Sequence, residues 1–309
     1  MDELYDVAII GSGPAGLTAA IYTTRGSAST VLFTGTKWGG QLMLTTLVEN
    51  YPGFPDGIQG PDLMFAMKKQ AEKFGAKVVS EDITEVDFGT KPFTLKVGKT
   101  SYKAKSVIIA TGAKTVWLGV SGEEKLIGRG ISSCAPCDAP FFREKKVAVI
   151  GGGDSAMEEA LVLEKFAKEI TIIHRRDEFR ASKIMQKKVL ASPKIKVMYD
   201  TEVQGVIGEN KLEKIILKNN KTNKESEMEV DGMFVAVGHT PSSTVFKGKI
   251  ELDEKGFIKK AEKEGYKSST SIEGVFVAGD VHDFHFKQAI TAAGFGCMAA
   301  LDVLKYLEA

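Results

Sequence analysis

The feature that most constrains the fold of this chain is a glycine-rich turn that occurs twice. The first copy is Gly11-Ser12-Gly13-Pro14-Ala15-Gly16, and the second is Gly151-Gly152-Gly153-Asp154-Ser155-Ala156. Each follows a short apolar run typical of a buried parallel strand and precedes a helical pattern and a second strand, which makes a βαβ unit of about 30 residues. Glycine there allows the tight bend, close approach of the backbone to a pyrophosphate and close helix–strand packing, with phosphate at the helix N-terminus. The sequence therefore predicts two dinucleotide sites.

The order of the elements also repeats and predicts the domain organisation. After each βαβ unit the pattern alternates as in a small β-meander, over residues 77–106 and over strands near 195–218 and 226–231, and a buried strand follows at residues 107–112 and again at 232–238. The remaining strand at 274–280 and the helix at about 287–307 are too short for a further domain, so they are expected to return to the first. We therefore predict an α/β fold with two Rossmann-like, three-layer dinucleotide-binding domains, each with a β-meander, the second inserted into the first. The predicted domains are residues 1–114 with 245–309, and residues 115–244.

The residues after the second strand of each unit differ and indicate different nucleotides. An acidic residue that holds the adenosine ribose is usual about 20 residues past the glycines, whereas the first unit has Thr34-Gly35 there. The second unit has His174-Arg175-Arg176, with Arg180 shortly after. Cationic side chains at this strand tip suit a 2′-phosphate and favour NADPH over NADH. The alternative interpretation is a solvated basic surface.

Cys134 and Cys137 form a Cys-Ala-Pro-Cys motif shortly before the second unit. A redox dithiol is the favoured interpretation, because CxxC spacing tends to lower a thiol pKa and holds a resolving thiol in place. A zinc site is the alternative and could be completed by His282 and His285, although nothing in the spacing favours it. Asp138 either exchanges a proton when the disulfide opens or simply caps a turn, and the local sequence leaves both roles open.

Composition disfavours several classes of function. Lys and Arg number 41 against 40 Asp and Glu, so the formal charge of +1 provides no field that would favour nucleic acid. The acidic N-terminus enters a strand pattern at once, so no signal peptide is expected, and no apolar stretch approaches the ~20 residues of a membrane helix. Three cysteines without a secretory signal indicate a reducing compartment. We expect a cytoplasmic protein with no nucleic-acid or membrane partner.

Taken together, the motifs resemble those of the low-molecular-weight thioredoxin reductases over essentially the whole chain. The resemblance is carried by residues 11–16, 39–41, 49–50, 110–112, 134–138, 151–156, 174–180, 279–280 and 288–290. It implies FAD in the first domain and NADPH in the second. No metal is expected. The FAD residues it implies are Gly11, Ser12, Gly13, Pro14, Ala15, Gly16, Thr34, Gly35, Gly39, Gly40, Gln41, Asn50, Ala110, Thr111, Gly112, Asp280, Lys287, Gln288 and Ala289. The NADPH residues are Gly151, Gly153, Asp154, Ser155, Ala156, His174, Arg175, Arg176, Arg180 and Gly238.

The resemblance also implies a reaction and an assembly. A hydride would pass from NADPH to FAD, then to the Cys134–Cys137 disulfide, with Cys137 facing the flavin, and so to thioredoxin; the protein would be a homodimer. The inserted domain would swivel on the crossings near 112–116 and 238–244, so that dithiol and NADPH reach the flavin in turn. Two alternatives stay open: a related reductase of another thioredoxin-like or peroxiredoxin-linked protein, and a flavin–dithiol redox sensor. A sensor would not need the arginines that favour NADPH.

Three positions depart from the family pattern. Pro136 stands where Thr usually precedes the second cysteine, Ala139 stands where Gly is common, and Lys287 stands where Arg usually precedes the glutamine. Pro136 is expected to affect the potential of the dithiol and the choice of protein partner. Lys287 keeps the charge of arginine but lacks its planar fork of donors.

Overall fold

The computed structural model describes residues 3–261 and 263–309, which divide into two compact units. The first unit is Met1–Lys114 with Thr240–Ala309, and the second is Thr115–His239. The predicted division had placed residues 240–244 in the inserted domain, and this detail is corrected. The backbone N–H of Ser242 donates to Gly112 O at 2.9 Å, and Ser243 Oγ donates to Gly256 O at 2.6 Å, so these residues pack with the first unit.

Strands and helices alternate along the chain in the order that the sequence indicated. The strands are β1 (Leu4–Ile10), β2 (Thr30–Phe33), β3 (Leu47–Val48), β4 (Ile58–Gln59), β5 (Lys77–Val79), β6 (Glu85–Asp87), β7 (Phe93–Val97), β8 (Thr100–Ile109), β9 (Ala113–Thr115), β10 (Ile131–Ser132), β11 (Lys146–Ile150), β12 (Glu169–Ile173), β13 (Ile195–Met198), β14 (Thr201–Ile207), β15 (Lys214–Asn219), β16 (Glu225–Glu229), β17 (Gly232–Val235), β18 (His239–Pro241) and β19 (Val275–Val277). The α-helices are α1 (Pro14–Arg25), α2 (Gly60–Lys73), α3 (Glu123–Leu126), α4 (Ala135–Asp138), α5 (Asp154–Leu163), α6 (Lys183–Leu190) and α7 (Ala289–Glu308). Short 3-10 turns lie at Gly40–Leu44, Ala139–Phe142, Thr244–Phe246 and Gly279–Val281.

The first unit is built on a parallel sheet in the order β5-β2-β1-β8-β19. Successive residues of its strands face opposite sides: Val7 and Ile9 contact the helices α1, α2 and α7, whereas Ala8 and Ile10 contact the layer that contains β6 and β7. Because both faces are covered, the buried parts of the strands, such as residues 7–10 of β1 and 107–109 of β8, are continuously apolar. The predicted meander and the buried strand at 107–112 share one long strand, β8, whose first half pairs antiparallel with β7.

The second unit repeats this arrangement with a parallel sheet in the order β13-β12-β11-β17-β10. Its helix α5 covers one face, and the separate antiparallel sheet β14-β15-β16 covers the other. Both predicted meanders were too long at their start. In the first unit β5 pairs parallel with β2, and in the second β13 pairs parallel with β12, Ile195 opposite Ile170, so each of these strands belongs to its main sheet. The predicted fold class, two three-layer Rossmann-like domains, is confirmed.

The C-terminal helix α7 closes the helical layer of the first unit. A Cβ at Gly296 would lie 2.1 Å from Ala15 O, so α7 approaches α1 as closely as glycine permits. Among the described residues, α7 is long and apolar enough to cross a membrane by length and composition alone, with a mean hydropathy of 1.4, so the expectation that no such stretch exists was wrong. The core helix of a soluble protein passes the same test, and α7 buries Ala299, Ala300 and Val303 in its own unit.

Candidate functional site

The first glycine turn is a tight bend with open space in front of helix α1. Gly11 has φ +110°, and a Cβ there would lie 2.2 Å from Ala110 O; a Cβ at Gly16 would lie 1.9 Å from Gly11 O. Both positions therefore exclude any larger residue. Gly13, by contrast, has nothing within 4 Å of its Cβ position, and no side chain caps the helix that begins at Pro14. Uncapped N–H groups beside open space fit a pyrophosphate.

Ser12 joins this turn by hydrogen bonds to the other segments that the sequence assigned to the same nucleotide. Its Oγ donates to Thr34 O at 3.0 Å and accepts the N–H of Gly39 at 3.0 Å. A Cβ at Gly40 would lie 3.5 Å from the Cα of Gly13. The structure therefore brings the turn, the tip of β2 and the 39–41 loop together.

The carboxyl end of β8 presents a polar atom without a partner. Ala110 donates its N–H to Ile10 O at 2.8 Å, which holds residues 110–112 beside the glycine turn. The next residue, Thr111, has a buried Oγ1 with no hydrogen-bond partner among the described residues. A buried hydroxyl of this kind is costly unless a ligand supplies its partner. The carboxyl ends of parallel strands are also where this class of fold binds ligands.

The segment after β19 places an acidic group at the same edge of the sheet. Gly279, with φ +75°, packs on Ala15 and leads into Asp280. Burial, with a smaller contribution from the neighbouring carboxylate of Asp283, raises the pKa of Asp280 to about 6 against the opposing effect of Lys287. A carboxyl poised in this way can hydrogen-bond a ligand hydroxyl in either protonation state.

Residues on either side of the start of α7 are held by side-chain hydrogen bonds. Lys287 has φ +49°, and its N–H donates to Asp283 Oδ2 at 3.4 Å. Gln288 and Thr291 form a capping box at the N-terminus of α7, with Ala289 as the first helical residue. Asn50 Nδ2 donates to Gln288 Oε1 at 3.4 Å, which joins two segments that are distant in the sequence. The residues predicted to bind FAD thus all belong to the first unit. The tight glycine turn, the N-terminus of α1 without a side-chain cap, and the buried Thr111 hydroxyl with no partner among the described residues fit FAD.

Sequence reasoning missed one acidic residue at this site. The tip of β2 lacks the usual acid, but Asp82 reaches it from the loop after β5, the next strand in the sheet. Its Oδ2 accepts Thr36 Oγ1 at 2.7 Å, and its Oδ1 lies 2.7 Å from the Cβ position of Gly35. Asp82 is remote from the glycine turn in sequence, so only the β2–β5 pairing could have indicated it.

The second glycine turn repeats the open position of the first. Gly153 precedes α5 with nothing within 4 Å of its Cβ position and no side-chain cap. A Cβ at Gly151 would lie 2.6 Å from Ala236 O and 2.8 Å from the Cβ of Ala156. Asp154 Oδ1 accepts the N–H and the hydroxyl of Ser182, at 2.9 and 2.8 Å, and these bonds lower the pKa of Asp154. The neighbouring Ser155 is exposed.

The basic residues at the tip of β12 fall into two environments. Arg175, Arg176 and Arg180 are exposed. His174 is only 5% exposed and packs under the turn, with its ring 2.3 Å from the Cβ position of Gly152. Burial lowers the pKa of His174, although its Nε2 lies 3.0 Å from Glu178 O. The arginines are therefore the accessible cations, and His174 supports the turn as a neutral ring.

Cys134 and Cys137 form a disulfide at the start of the short helix α4, with their Cα atoms 5.3 Å apart. Ser132 Oγ accepts the N–H of Cys134 at 3.1 Å and donates to Asp138 Oδ2 at 2.5 Å. Burial raises the pKa of Asp138, and the hydrogen bond from Ser132 opposes that shift. Asp138 is thus a partly buried carboxyl beside the disulfide. Among the described residues, no group of three or more potential ligands forms a metal site.

A residue of α5 also holds the disulfide loop and was not predicted. The carboxylate of Glu159 accepts the N–H of Ala135, the residue after the first cysteine. Pro136, the departure from the family pattern, is exposed. Gly238, in the segment between β17 and β18, has φ +127° and open space at its Cβ position.

Two dinucleotide folds, one of them carrying a disulfide next to an acidic residue, define a nucleotide-dependent disulfide oxidoreductase. Residues 5–296 match the model of the family described as pyridine nucleotide-disulphide oxidoreductase. The chain is 49% identical to a thioredoxin reductase from Mycolicibacterium smegmatis, over 98% of this chain and 97% of that protein. It is 49% identical to one from Streptomyces clavuligerus, over 100% of this chain and 96% of that protein.

Solved structures agree with these matches. The thioredoxin reductase from Streptococcus pyogenes is 39% identical and superposes with a TM-score of 0.94 over 100% of this chain and 99% of its own. The Lactococcus lactis enzyme in its FR conformation is 38% identical, with a TM-score of 0.64 over 98% and 99%. The chain belongs to the pyridine nucleotide-disulphide oxidoreductase family, within its thioredoxin reductase branch. The resemblance inferred from the motifs is confirmed, and enzymes of this branch use FAD and NADPH.

Proposed function

We propose that this protein is an NADPH-dependent thioredoxin reductase in which the Cys134–Cys137 disulfide is the redox-active group. The observation that carries the proposal is this disulfide, held beside Asp138 in a unit that also contains a dinucleotide turn and exposed arginines. Relatives that share about half of its residues over its whole length are thioredoxin reductases. A redox sensor would have no use for a dedicated NADPH site.

FAD would bind in the first unit. The uncapped N-terminus of α1 and Gly13 would hold its pyrophosphate, and Thr111 Oγ1 and Asp280 would hydrogen-bond its polar groups. When bound, FAD supplies the two-electron chemistry that links a hydride donor to a disulfide. Asp82, beside Thr36, would take the place of the missing ribose acid at the tip of β2.

NADPH would bind in the second unit. The N-terminus of α5, with its open Gly153, suits the pyrophosphate, and Arg175, Arg176 and Arg180 are available for the 2′-phosphate. His174 would keep the turn in place from below, because its ring fills the space under Gly152.

The dithiol that results would reduce thioredoxin by exchange. A thiolate of the pair bonds to one sulfur of the thioredoxin disulfide, whose other sulfur leaves as a thiolate. The second cysteine then attacks the mixed disulfide, which restores the Cys134–Cys137 bond and releases dithiol thioredoxin. The two thiol protons of the enzyme end on thioredoxin, and Asp138 is the carboxyl positioned to carry one of them.

The nucleotide and the dithiol belong to the same unit and must reach a flavin held by the other, so we propose that the units reorient during turnover. The chain passes between them through β9 and β18, which pair with each other as a two-stranded ribbon. Two solved relatives of 39% and 38% identity give TM-scores of 0.94 and 0.64 at nearly equal coverage, which supports large-scale rearrangement within the family.

We also propose that the protein is a cytoplasmic homodimer without nucleic-acid or membrane partners. The formal charge of +1 supports the absence of a nucleic-acid partner. Exposed apolar side chains on the adjacent helices α1 and α7, Tyr22, Met298 and Leu301, support a protein interface there. Light scattering on the flavin-loaded protein measures the mass, and a monomer at micromolar concentration contradicts the dimer.

The proposed activity is tested with FAD-loaded enzyme, NADPH and oxidised thioredoxin. Cys134→Ser and Cys137→Ser are expected to lower thioredoxin reduction to background while NADPH still reduces the flavin, because the two half-reactions use different groups. Cys297→Ser, which changes the remaining cysteine on α7, is the matched control and keeps full turnover. A Cys134 or Cys137 variant that still reduces thioredoxin contradicts the proposal. Turnover with a glutaredoxin-like or peroxiredoxin-linked protein but not with thioredoxin would assign the alternative partner.

A further inference from the structure

We propose that Ser132 is a positioning residue that orients Asp138 and links it to the backbone of Cys134, so that its hydroxyl sets the pH range of the dithiol chemistry. The proposal rests on the proposed function, in which Asp138 carries a proton when the Cys134–Cys137 bond opens and closes.

The Ser132 hydroxyl lies in a hydrogen-bond relay between the backbone of Cys134 and the carboxyl group of Asp138. A serine hydroxyl has one proton to donate. Its Oγ accepts the N–H of Cys134 at 3.1 Å and donates to Asp138 Oδ2 at 2.5 Å. The second of these bonds stabilises the ionised carboxylate. The relay therefore couples the protonation of Asp138 to the Ser132 hydroxyl.

The relay is anchored in the sheet. Ser132 is the last residue of β10, is 8% exposed, and is paired in register with Phe234 of β17. Asp138, at the end of α4, donates its own N–H to Cys134 O at 3.1 Å. None of these bonds involves a sulfur atom. The relay can therefore persist when the disulfide is reduced, and Asp138 stays in place while the sulfur atoms move.

The proton balance of the reaction requires a proton donor beside the disulfide, and the carboxyl group of Asp138 can act as one. Reduction of the disulfide by NADPH breaks the S–S bond with the two electrons of the hydride and consumes one further proton, since NADPH, H⁺ and the disulfide yield NADP⁺ and two thiols. That further proton must reach a thiolate as it forms. Asp138 is adjacent to Cys137 in the chain and can deliver it. When thioredoxin oxidises the dithiol, the ionised Asp138 can take up a thiol proton and pass it on to thioredoxin, and solvent then supplies the proton for the next turnover.

Among the groups around Asp138, the Ser132 hydroxyl is the main one that opposes the effect of burial on the pKa of Asp138. Helix α5 packs on α4 and brings Glu159, whose carboxylate accepts the N–H of Ala135. The 3-10 turn Ala139–Phe142 and strand β17 contain no titratable side chain. Burial raises the pKa of Asp138 and the Ser132 hydrogen bond lowers it. Loss of the hydroxyl therefore favours the protonated form of Asp138.

The test is the pH profile of thioredoxin reduction by the flavin-loaded enzyme, compared among five proteins. The wild-type profile is expected to contain a limb, a pH range over which the rate changes as Asp138 loses its proton, that the profile of Asp138→Asn lacks. Ser132→Ala should move this limb upward by about 1–2 pH units, since a hydrogen bond to a charged group stabilises it by that amount. Ser132→Thr, which keeps the hydroxyl, should restore the wild-type position. Ser133→Ala is the matched control, because Ser133 Oγ bonds Thr115 Oγ1 at 3.0 Å outside the relay, and its limb should not move.

Flavin content and flavin reduction by NADPH show that each variant is folded. An unmoved limb in folded Ser132→Ala overturns the inference, and so does an equal shift in Ser133→Ala or a failure of Ser132→Thr to restore the position. If the wild type itself does not reduce thioredoxin, the proposed function fails instead. A wild type that reduces thioredoxin but shares its whole profile with Asp138→Asn overturns the role of Asp138, and the inference with it.

Discussion

The two units of this protein use the same turn on the same sheet order, yet they differ at two points that decide what each can hold. The third position of the fingerprint is Gly16 in the first unit and Ala156 in the second. At Gly16 a Cβ would lie 1.9 Å from the backbone oxygen of Gly11, whereas the Cβ of Ala156 fits in the second turn. Helix α1 therefore approaches its strand more closely than α5 does. One sequence motif thus permits two packing distances.

The second difference lies at the tip of the second strand. In the first unit this place is filled by a small turn and by Asp82 from a neighbouring loop, and in the second by exposed arginines above a buried His174. The charge at the same topological position is therefore negative in one unit and positive in the other. Similar scaffolds acquire different nucleotide preferences through residues that lie outside the shared turn.

The largest expected effect on stability comes from exchanging the residues that set the two helix–strand distances, Gly16 and Ala156. Gly16→Ala should destabilise the first unit by about 3 kcal/mol or more, since its methyl group meets a backbone oxygen that cannot move freely. The reverse change in the second unit, Ala156→Gly, should cost only about 1 kcal/mol, the helix-propensity difference. Denaturant unfolding and flavin content measure both. Gly13→Ala, whose Cβ meets nothing within 4 Å, is the control for folding. Equal losses in Gly16→Ala and Ala156→Gly would contradict the difference in packing distance.

The next effect concerns the positive strand tip. Arg175→Ala and Arg176→Ala should each raise the KM for NADPH about ten- to hundredfold, because each charge-assisted hydrogen bond to a 2′-phosphate contributes about 1.5–3 kcal/mol. The KM for NADH should change little. Lys187→Ala, which removes an exposed charge on α6, is the matched control. Parallel losses for both nucleotides would mean that the arginines support the fold instead of selecting the cofactor.

The contrast between the units also shows what the sequence could reveal. Both turns were predictable because glycine spacing, flanking strands and helices agree, and the fold class follows from their repetition. The assignment of β13 to a meander was wrong because a short apolar strand reads the same in either sheet. The burial of His174 depends on the glycine above it, and Ser132, Asp82 and Glu159 act through hydrogen bonds that no motif encodes. Residues whose role depends on such contacts remained hidden until the segments were assembled.

The smallest expected effect is a difference in the pH dependence of stability between an aspartate of the first unit, Asp280, and one of the second, Asp154. Burial raises the pKa of Asp280 to about 6, whereas hydrogen bonds from Ser182 lower the pKa of the exposed Asp154. Between pH 3.8 and about 6, the carboxyl group of Asp280 therefore keeps its proton in the folded state, whereas in the unfolded chain, at its ordinary pKa of 3.8, it has lost that proton. Stability from this group is therefore complete below pH 3.8 and is lost as the pH rises through about 6. The loss should be about 2 kcal/mol in the flavin-depleted protein, allowing for partial exposure.

Asp280→Asn should remove this loss, so the flavin-depleted variant should be more stable than the wild type at pH 7 while it binds FAD more weakly. Asp154→Asn should show neither the gain nor the loss of flavin, because Asp154 belongs to the other unit and its pKa is shifted in the opposite direction. Denaturant midpoints between pH 4 and 7, together with flavin titration, measure both quantities. A flavin-depleted Asp280→Asn protein that follows the wild-type pH dependence would show that Asp280 is ionised at no cost, and the contrast between the two acidic sites would then disappear.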